Sequence, residues 1–354
     1  MRNKTIISRI ILITAAVLAG LLVISSSFYI YWSAAPPSGT CNTCHEINNS
    51  YSTWALSAHR DISCSECHGT ALSNGFHSIA EKAGMVRTHF REQFVEELRL
   101  SEEQVLESME SCIRCHQDEW SGWLAGGHSA TYRAIFLNTS QNSKEQLNYD
   151  CLRCHGMFFN GSIEELAEPI AVTGPWKLKD TLKNDQPVLP CMSCHQVHSP
   201  GDPAVRQDYS LPSEMEYNRP PWNSSLFLYS RPEKMYFHVS ILPAPAIYYQ
   251  GMPLRVADDP RQKLCMQCHA PQAHHQSASS DDRTPRGVHE GLSCLSCHEP
   301  HNNDTKSSCR LCHPALSNCG LDVEKMNTSF AYPGSANNIH FVSCTDCHGT
   351  NFSP

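Results

Sequence analysis

The pentapeptide Cys-x-x-Cys-His occurs nine times in this chain, and no other feature limits its folding so strictly. The copies begin at Cys41, Cys64, Cys112, Cys151, Cys191, Cys265, Cys294, Cys309 and Cys344. Their second cysteines are Cys44, Cys67, Cys115, Cys154, Cys194, Cys268, Cys297, Cys312 and Cys347. They close on His45, His68, His116, His155, His195, His269, His298, His313 and His348. The chain holds 19 cysteines and 20 histidines in 354 residues. Random placement at those frequencies gives roughly 0.06 copies.

This spacing is the attachment signature of c-type haem: two thiols form thioethers to the vinyl groups, and the adjacent histidine lies under the ring as the proximal iron ligand. The rival readings fail on the same count. A redox dithiol is one pair in a thioredoxin-like unit, with no reason for a following histidine nine times. Zinc ribbons pair their Cys-x-x-Cys knuckles without an obligate histidine. The motifs use every cysteine but Cys319. That residue has no partner for a structural disulfide and is read as a buried thiol.

Nine haems leave about 39 residues for each, so the macrocycles are expected to supply much of the buried apolar surface. The expected fold is mainly α with extensive irregular coil and little or no sheet: a haem-packed multihaem cytochrome c with one N-terminal transmembrane helix. Such a chain is expected to be largely unfolded without its cofactor. The formal net charge is −8 with no basic cluster, which argues against a nucleic-acid partner. It suits a positively charged or neutral redox partner.

Residues Ile10 to Trp32 carry no charge, and Ile10 to Ile24 is apolar apart from Thr14 and Gly20. At 1.5 Å per residue such a segment spans about 34 Å as a helix, enough to cross a bilayer. Arg2, Lys4 and Arg9 precede it and predict a cytoplasmic N-terminus. Phe28, Tyr29, Tyr31 and Trp32 follow as an aromatic belt. The alternative is a signal peptide cut after Ala34 or Ala35, which Pro36 and Pro37 disfavour. The reading is a single-pass anchor in the cytoplasmic (inner) membrane, with the haem region on the periplasmic or outer face. So many cysteines suit an exported chain.

Motif starts are separated by 23, 48, 39, 40, 74, 29, 15 and 35 residues. This divides the chain into five regions: an anchor over 1–35, a di-haem region over 36–100, a tri-haem region over 101–198, a haem-free segment rich in aromatic residues and proline over 199–263, and a tetra-haem region over 264–354. The haem-free segment is too aromatic for a flexible linker and is read as ordered wrapping chain. An apolar stripe at Ile79, Ala83, Val86, Phe90, Phe94 and Leu98 predicts a helix over 77–98. Ser101 with Gln104 is a capping box, with Glu102 and Glu103 in the first turn, for a helix that delivers Cys112. Ser162 with Glu165 opens a short helix that stops before Pro169.

Eleven histidines lie outside the motifs. They are enough to give every iron a second ligand. His59, His289 and His340 stand four or five residues before a motif, and His198 and His301 stand three residues after a motif histidine. These five, with His128, His77, His89 and His275, are the candidate distal ligands. His274 and His275 are adjacent, so one of them is expected to bind. His238 lies in the haem-free segment and reads as either a long-range ligand or a structural residue.

The stretch from Cys41 to Phe90 resembles the membrane-anchored quinol-dehydrogenase cytochromes of the NapC/NirT/NrfH family. The matching features are the N-terminal anchor, Cys-Asn-Thr-Cys-His, Trp54, Ser57-Ala58-His59, Cys-Ser-Glu-Cys-His and Glu81-Lys82-Ala83-Gly84. The resemblance covers a quarter of the chain. It implies a quinol pocket beside the first haem at the outer membrane face, with Lys82 near it. Some family members place a methionine ligand where this chain has Ile47.

Two functions compete. One is an electron carrier from the membrane quinol pool to a periplasmic or extracytoplasmic redox protein or respiratory complex, either free or as a subunit of that complex. The other is a reductase or oxidase of a small nitrogen or sulfur oxyanion, which needs one open haem. The Cys-x-x-Cys-Lys variant that marks an active haem in pentahaem nitrite reductases is absent.

Overall fold

The structure, a computed structural model, describes residues 2–36, 39, 42, 47–68, 84, 87–88, 90–91, 100–139, 142, 146–202, 224–244, 246–269, 283–302, 304–313, 338–343 and 346. Two compact units divide the chain. One comprises Met1–Leu98 with Val197–Pro200, and the other Arg99–Gln196 with Gly201–Pro354.

The first unit opens on helix α1 (Arg2–Ala34). No proline or charged residue interrupts it after Arg9, so the backbone bonds run unbroken for its whole length. Within it, Ile6–Tyr31 has a mean hydropathy of 2.5 and buries nothing against the rest of the chain. It is long and apolar enough to cross a membrane. Helix α2 (Asn48–Trp54) follows, and its end turns on Ser57, whose hydroxyl accepts the His59 N–H at 3.0 Å. Helix α3 (Cys64–His68) is the second motif itself. Of the helix expected over 77–98, the residues Gly84, Arg87, Thr88 and Phe90 are described, all helical.

The second unit begins with helix α4 (Glu102–Ile113). The expected capping box is present: the Gln104 N–H donates to Ser101 Oγ, and the Ser101 N–H donates to Gln104 Oε1. Helices α5 (Gln117–Ala125), α6 (Tyr132–Phe136) and α7 (Ile163–Leu166) follow. The last is held by Glu165, which accepts the Ser162 N–H at 2.7 Å, and it stops before Pro169. Helices α8 (Pro260–His269) and α9 (Lys306–Cys312) each carry a motif.

Sheet is scant among the described residues. Four separate two-stranded ladders pair β1 (Ala167–Glu168) with β2 (Lys177–Leu178), β3 (Phe227–Ser230) with β4 (Met235–His238), β5 (Tyr248–Tyr249) with β6 (Met252–Pro253), and β7 (Arg286–Gly287) with β8 (Phe341–Val342). The first three are antiparallel and the last is parallel. The β3–β4 hairpin lies in the described part of the motif-free segment. It wraps the chain that follows Cys151: Tyr229 stacks on Phe158 with centroids 4.1 Å apart, Arg231 donates to the carbonyls of Phe159 and Gly161, and Lys234 reaches Asn160.

Side chains build a core around the Cys151 motif. Tyr132, Phe136, Leu152, Ile163, Leu166, Trp176 and Val188 are buried together. Glu102, in the first turn of α4, ties that helix to the core: it accepts from the Tyr132 hydroxyl at 2.5 Å and pairs with Lys183.

Candidate functional site

Seven of the nine motifs are described in full, and each forms one helical turn. In five of them the histidine N–H donates to the carbonyl of the first cysteine: His116 to Cys112, His155 to Cys151, His195 to Cys191, His298 to Cys294 and His313 to Cys309, at 2.8–3.2 Å. The other two lie within helices α3 and α8. A helical turn places positions i, i+3 and i+4 on one face. Both thiols and the imidazole of each motif therefore share a side, as attachment of one flat macrocycle requires.

Helix α8 is the platform on which several motifs meet. Asp259, at its N-terminal edge, is fully buried, pairs with Arg261 at 3.1 Å and accepts from Ser293 Oγ at 2.8 Å. One turn in, Gln262 Oε1 accepts the Cys294 N–H at 2.8 Å. These contacts clamp the Cys294 motif against the helix that carries Cys265. From the other side Arg153, inside the Cys151 motif, donates to the Gln267 carbonyl at 2.9 Å. The thiols follow the backbone. Cys294 donates to Cys265, and Cys268 donates to Cys154. The hydrogen bond from Cys268 draws the Cys154 thiol down, while burial pushes Cys194 up to about 12. A small, half-open apolar pocket lies beside Cys265, His269 and Cys294.

Among the described residues, five histidine pairs face one another. Ring centroids are 5.8 Å apart for His68 and His198, 6.1 Å for His128 and His269, and 5.9 Å for His195 and His301. They are 6.4 Å apart for His289 and His313, and 5.9 Å for His298 and His340. Every pair joins one motif histidine to one histidine outside the motifs. Burial lowers the pKa of His128, His198, His289, His298 and His301 from the ordinary imidazole range. These rings are accordingly held neutral, the form that binds a metal.

Local devices set the partners in place. The β7–β8 ladder pairs Arg286 with Phe341 and Gly287 with Val342, which brings His289 and His340 to one spot. Gly287 has φ +73°, and a Cβ there would meet the Val342 carbonyl at 2.0 Å, so only glycine fits. The Arg286 guanidinium lies over both Tyr249 and Phe341, at 4.1 and 3.6 Å from the ring centres. The His289 Nδ1–H donates to the Ile339 carbonyl at 3.2 Å, and His340 Nδ1 lies 3.1 Å from Asn338 Oδ1. His128 bonds the Pro300 backbone, whose only polar group is its carbonyl. On α5, Gly122 abuts the His301 backbone so closely that a Cβ would lie 1.4 Å from its carbonyl oxygen.

The remaining candidates fall elsewhere. His59 lies near His198, close enough to help lower its pKa. His116 Nδ1 is 3.6 Å from Glu119. His238 is structural: Nδ1 engages Ser240 and Nε2 takes the Ser224 carbonyl at 2.7 Å, so both ring nitrogens are used within the protein. Cys41, Cys44, His45, His77, Lys82, His89, His274, His275, Cys319, Cys344, Cys347 and His348 lie outside the described residues. Among the described residues no three of His, Cys, Asp or Glu gather around one point. An iron that takes four nitrogens from a macrocycle needs only two from the protein. Asp259, Arg261, Gln262 and Gly122 carry no motif signal. A buried charge at the start of a motif-bearing helix is legible only in three dimensions. No known family, curated protein or solved structure matches the chain.

Proposed function

We propose that this chain is a membrane-anchored nine-haem c-type cytochrome that passes electrons from the quinol pool to a periplasmic or extracytoplasmic redox protein or respiratory complex. The observation that carries the reading is the repeated helical turn that puts two thiols and an imidazole on one face. Each motif cysteine would hold a haem by adding its S–H across a vinyl C=C bond: an S–C bond would form, the hydrogen would go to the neighbouring carbon, and no oxidant would be consumed. Each haem, when bound, supplies a one-electron ferric/ferrous couple. The protein's part is to fix each ring at both edges and from below, and to hold the rings near one another. The backbone contacts that hold the Cys151 and Cys294 motifs against helix α8 support close approach.

The apolar length of α1 supports the anchor. The quinol as electron source rests on the resemblance of the Cys41–Phe90 stretch to the NapC/NirT/NrfH family, with Lys82 as the candidate side chain at the quinol pocket. The purified protein should exceed the mass of its polypeptide by nine haems, and a menaquinol analogue should reduce it. Substituting Lys82→Ala should slow that reduction severalfold and leave reduction by dithionite unchanged. A mass without haem removes the cytochrome reading. Full haem content with no quinol reaction removes the quinol as electron source.

A further inference from the structure

We infer that five of the irons are each held between two histidines, in the pairs His68–His198, His195–His301, His269–His128, His298–His340 and His313–His289. The inference rests on the haem reading and deepens it: the motif supplies the first histidine of each pair, and the structure supplies the second. A metal–imidazole bond of about 2.0 Å on each side, and about 1.1 Å more from each nitrogen to its ring centre, separates the two centres by about 6.2 Å. The five observed separations run from 5.8 to 6.4 Å. Unligated aromatic pairs share that range, roughly 4.5–7 Å, so distance does not decide the matter alone.

Two further observations decide it. Each of the five pairs takes one histidine from a motif and one from outside. Chance packing has no reason to sort rings this way. Three of the five outside partners also carry the support that a ligating imidazole needs, a hydrogen bond from its second nitrogen that fixes tautomer and orientation. His289, His340 and His128 make theirs to Ile339, Asn338 and Pro300, which assigns Nε2 as the ligating atom in His289 and His340. His238, with both nitrogens engaged inside the protein, shows the arrangement of a histidine that does not ligate.

The ring planes make the pairing testable one site at a time. They lie 15° apart in His298–His340 and 25° apart in His195–His301, but 89° apart in His289–His313. Near-parallel imidazoles separate the iron d-orbitals and give a rhombic low-spin signal. Perpendicular imidazoles leave two of them nearly degenerate and give a strongly anisotropic one.

Low-temperature EPR of the oxidised full-length protein is the test, with haem content by mass as a separate check on attachment. The wild type should show both signal types. His289→Ala should remove the strongly anisotropic signal and make one of the nine irons high-spin, and added imidazole should restore low spin. His340→Ala should take intensity from the rhombic set instead. Loss of rhombic intensity in His289→Ala, or no high-spin iron in either variant, overturns the pairing. If the alanine variants do not accumulate, His289→Met keeps a ligand in place. A thioether charge-transfer band in the red then supports the pairing, and a low-spin spectrum without it overturns the pairing. Nine haems by mass with the wrong signals sinks the pairing alone, whereas a chain without haem sinks the reading beneath it.

Discussion

Asp259 contributes neither a thiol nor an iron ligand, yet it is among the most consequential single residues in the second unit. Its carboxylate is fully buried and takes Arg261 on one oxygen and Ser293 on the other. Removing one partner of a buried pair leaves the other charge uncompensated, at a cost of about 3–5 kcal/mol. Asp259→Asn should therefore lower the thermal midpoint of the holoprotein markedly while leaving haem content intact. An unchanged melt would show that the pair contributes nothing to stability. This residue was illegible in the sequence, where an Asp-Pro-Arg triplet looks like any exposed turn. Ser101 and Gln104 were legible, because a capping box is written within four residues and needs nothing from the rest of the chain.

Among the elements, the two capped helices came out as expected, whereas the ladders made by distant pairing carried no signal in the sequence. Helix α4 and the short α7 follow from their caps. The β7–β8 ladder is two residues on each side, with partners more than fifty positions apart, and no alternation can signal so short a strand. It is nonetheless what delivers His289 and His340. The partners of the motif histidines were legible as a list of candidates, but not as pairs. Neighbours in sequence such as His195 and His198 face different rings. Helix α5 offers a direct check on how elements place ligands. A methyl group at Gly122 has no room against the His301 backbone. Gly122→Ala should cost about 1–3 kcal/mol through overpacking. On the cytochrome reading it should also give a haem at Cys191 some high-spin character, read in the optical spectrum. A variant with wild-type stability and spectrum would mean that α5 does not set the position of His301.

At the scale of the whole molecule, the chain combines one apolar helix with units whose chemistry is repeated rather than centralised. Helix α1 buries none of its apolar surface against the protein, so a bilayer is the medium that would cover it. The protein should stay with membranes through high-salt and carbonate washes and be released by detergent. Release by salt alone would remove the anchor. The division into units follows how segments pack, whereas the sequence divided the chain by motif spacing. That is why Val197–Pro200, next to the Cys191 motif in sequence, belongs with the N-terminal unit: His198 faces His68 there.

The five histidine pairs also bear on how such a chain comes to be made. A polypeptide exported N-terminus first presents His68 long before His198, and His195 long before His301. On the pairing inferred above, those two rings would wait half-finished, each with one side open, until later segments arrive to close them. Their completion would be a late event: histidines outside the motifs act as latches for haems inserted earlier. A chain stopped before Pro260 would be left with an early haem that has no second histidine to receive.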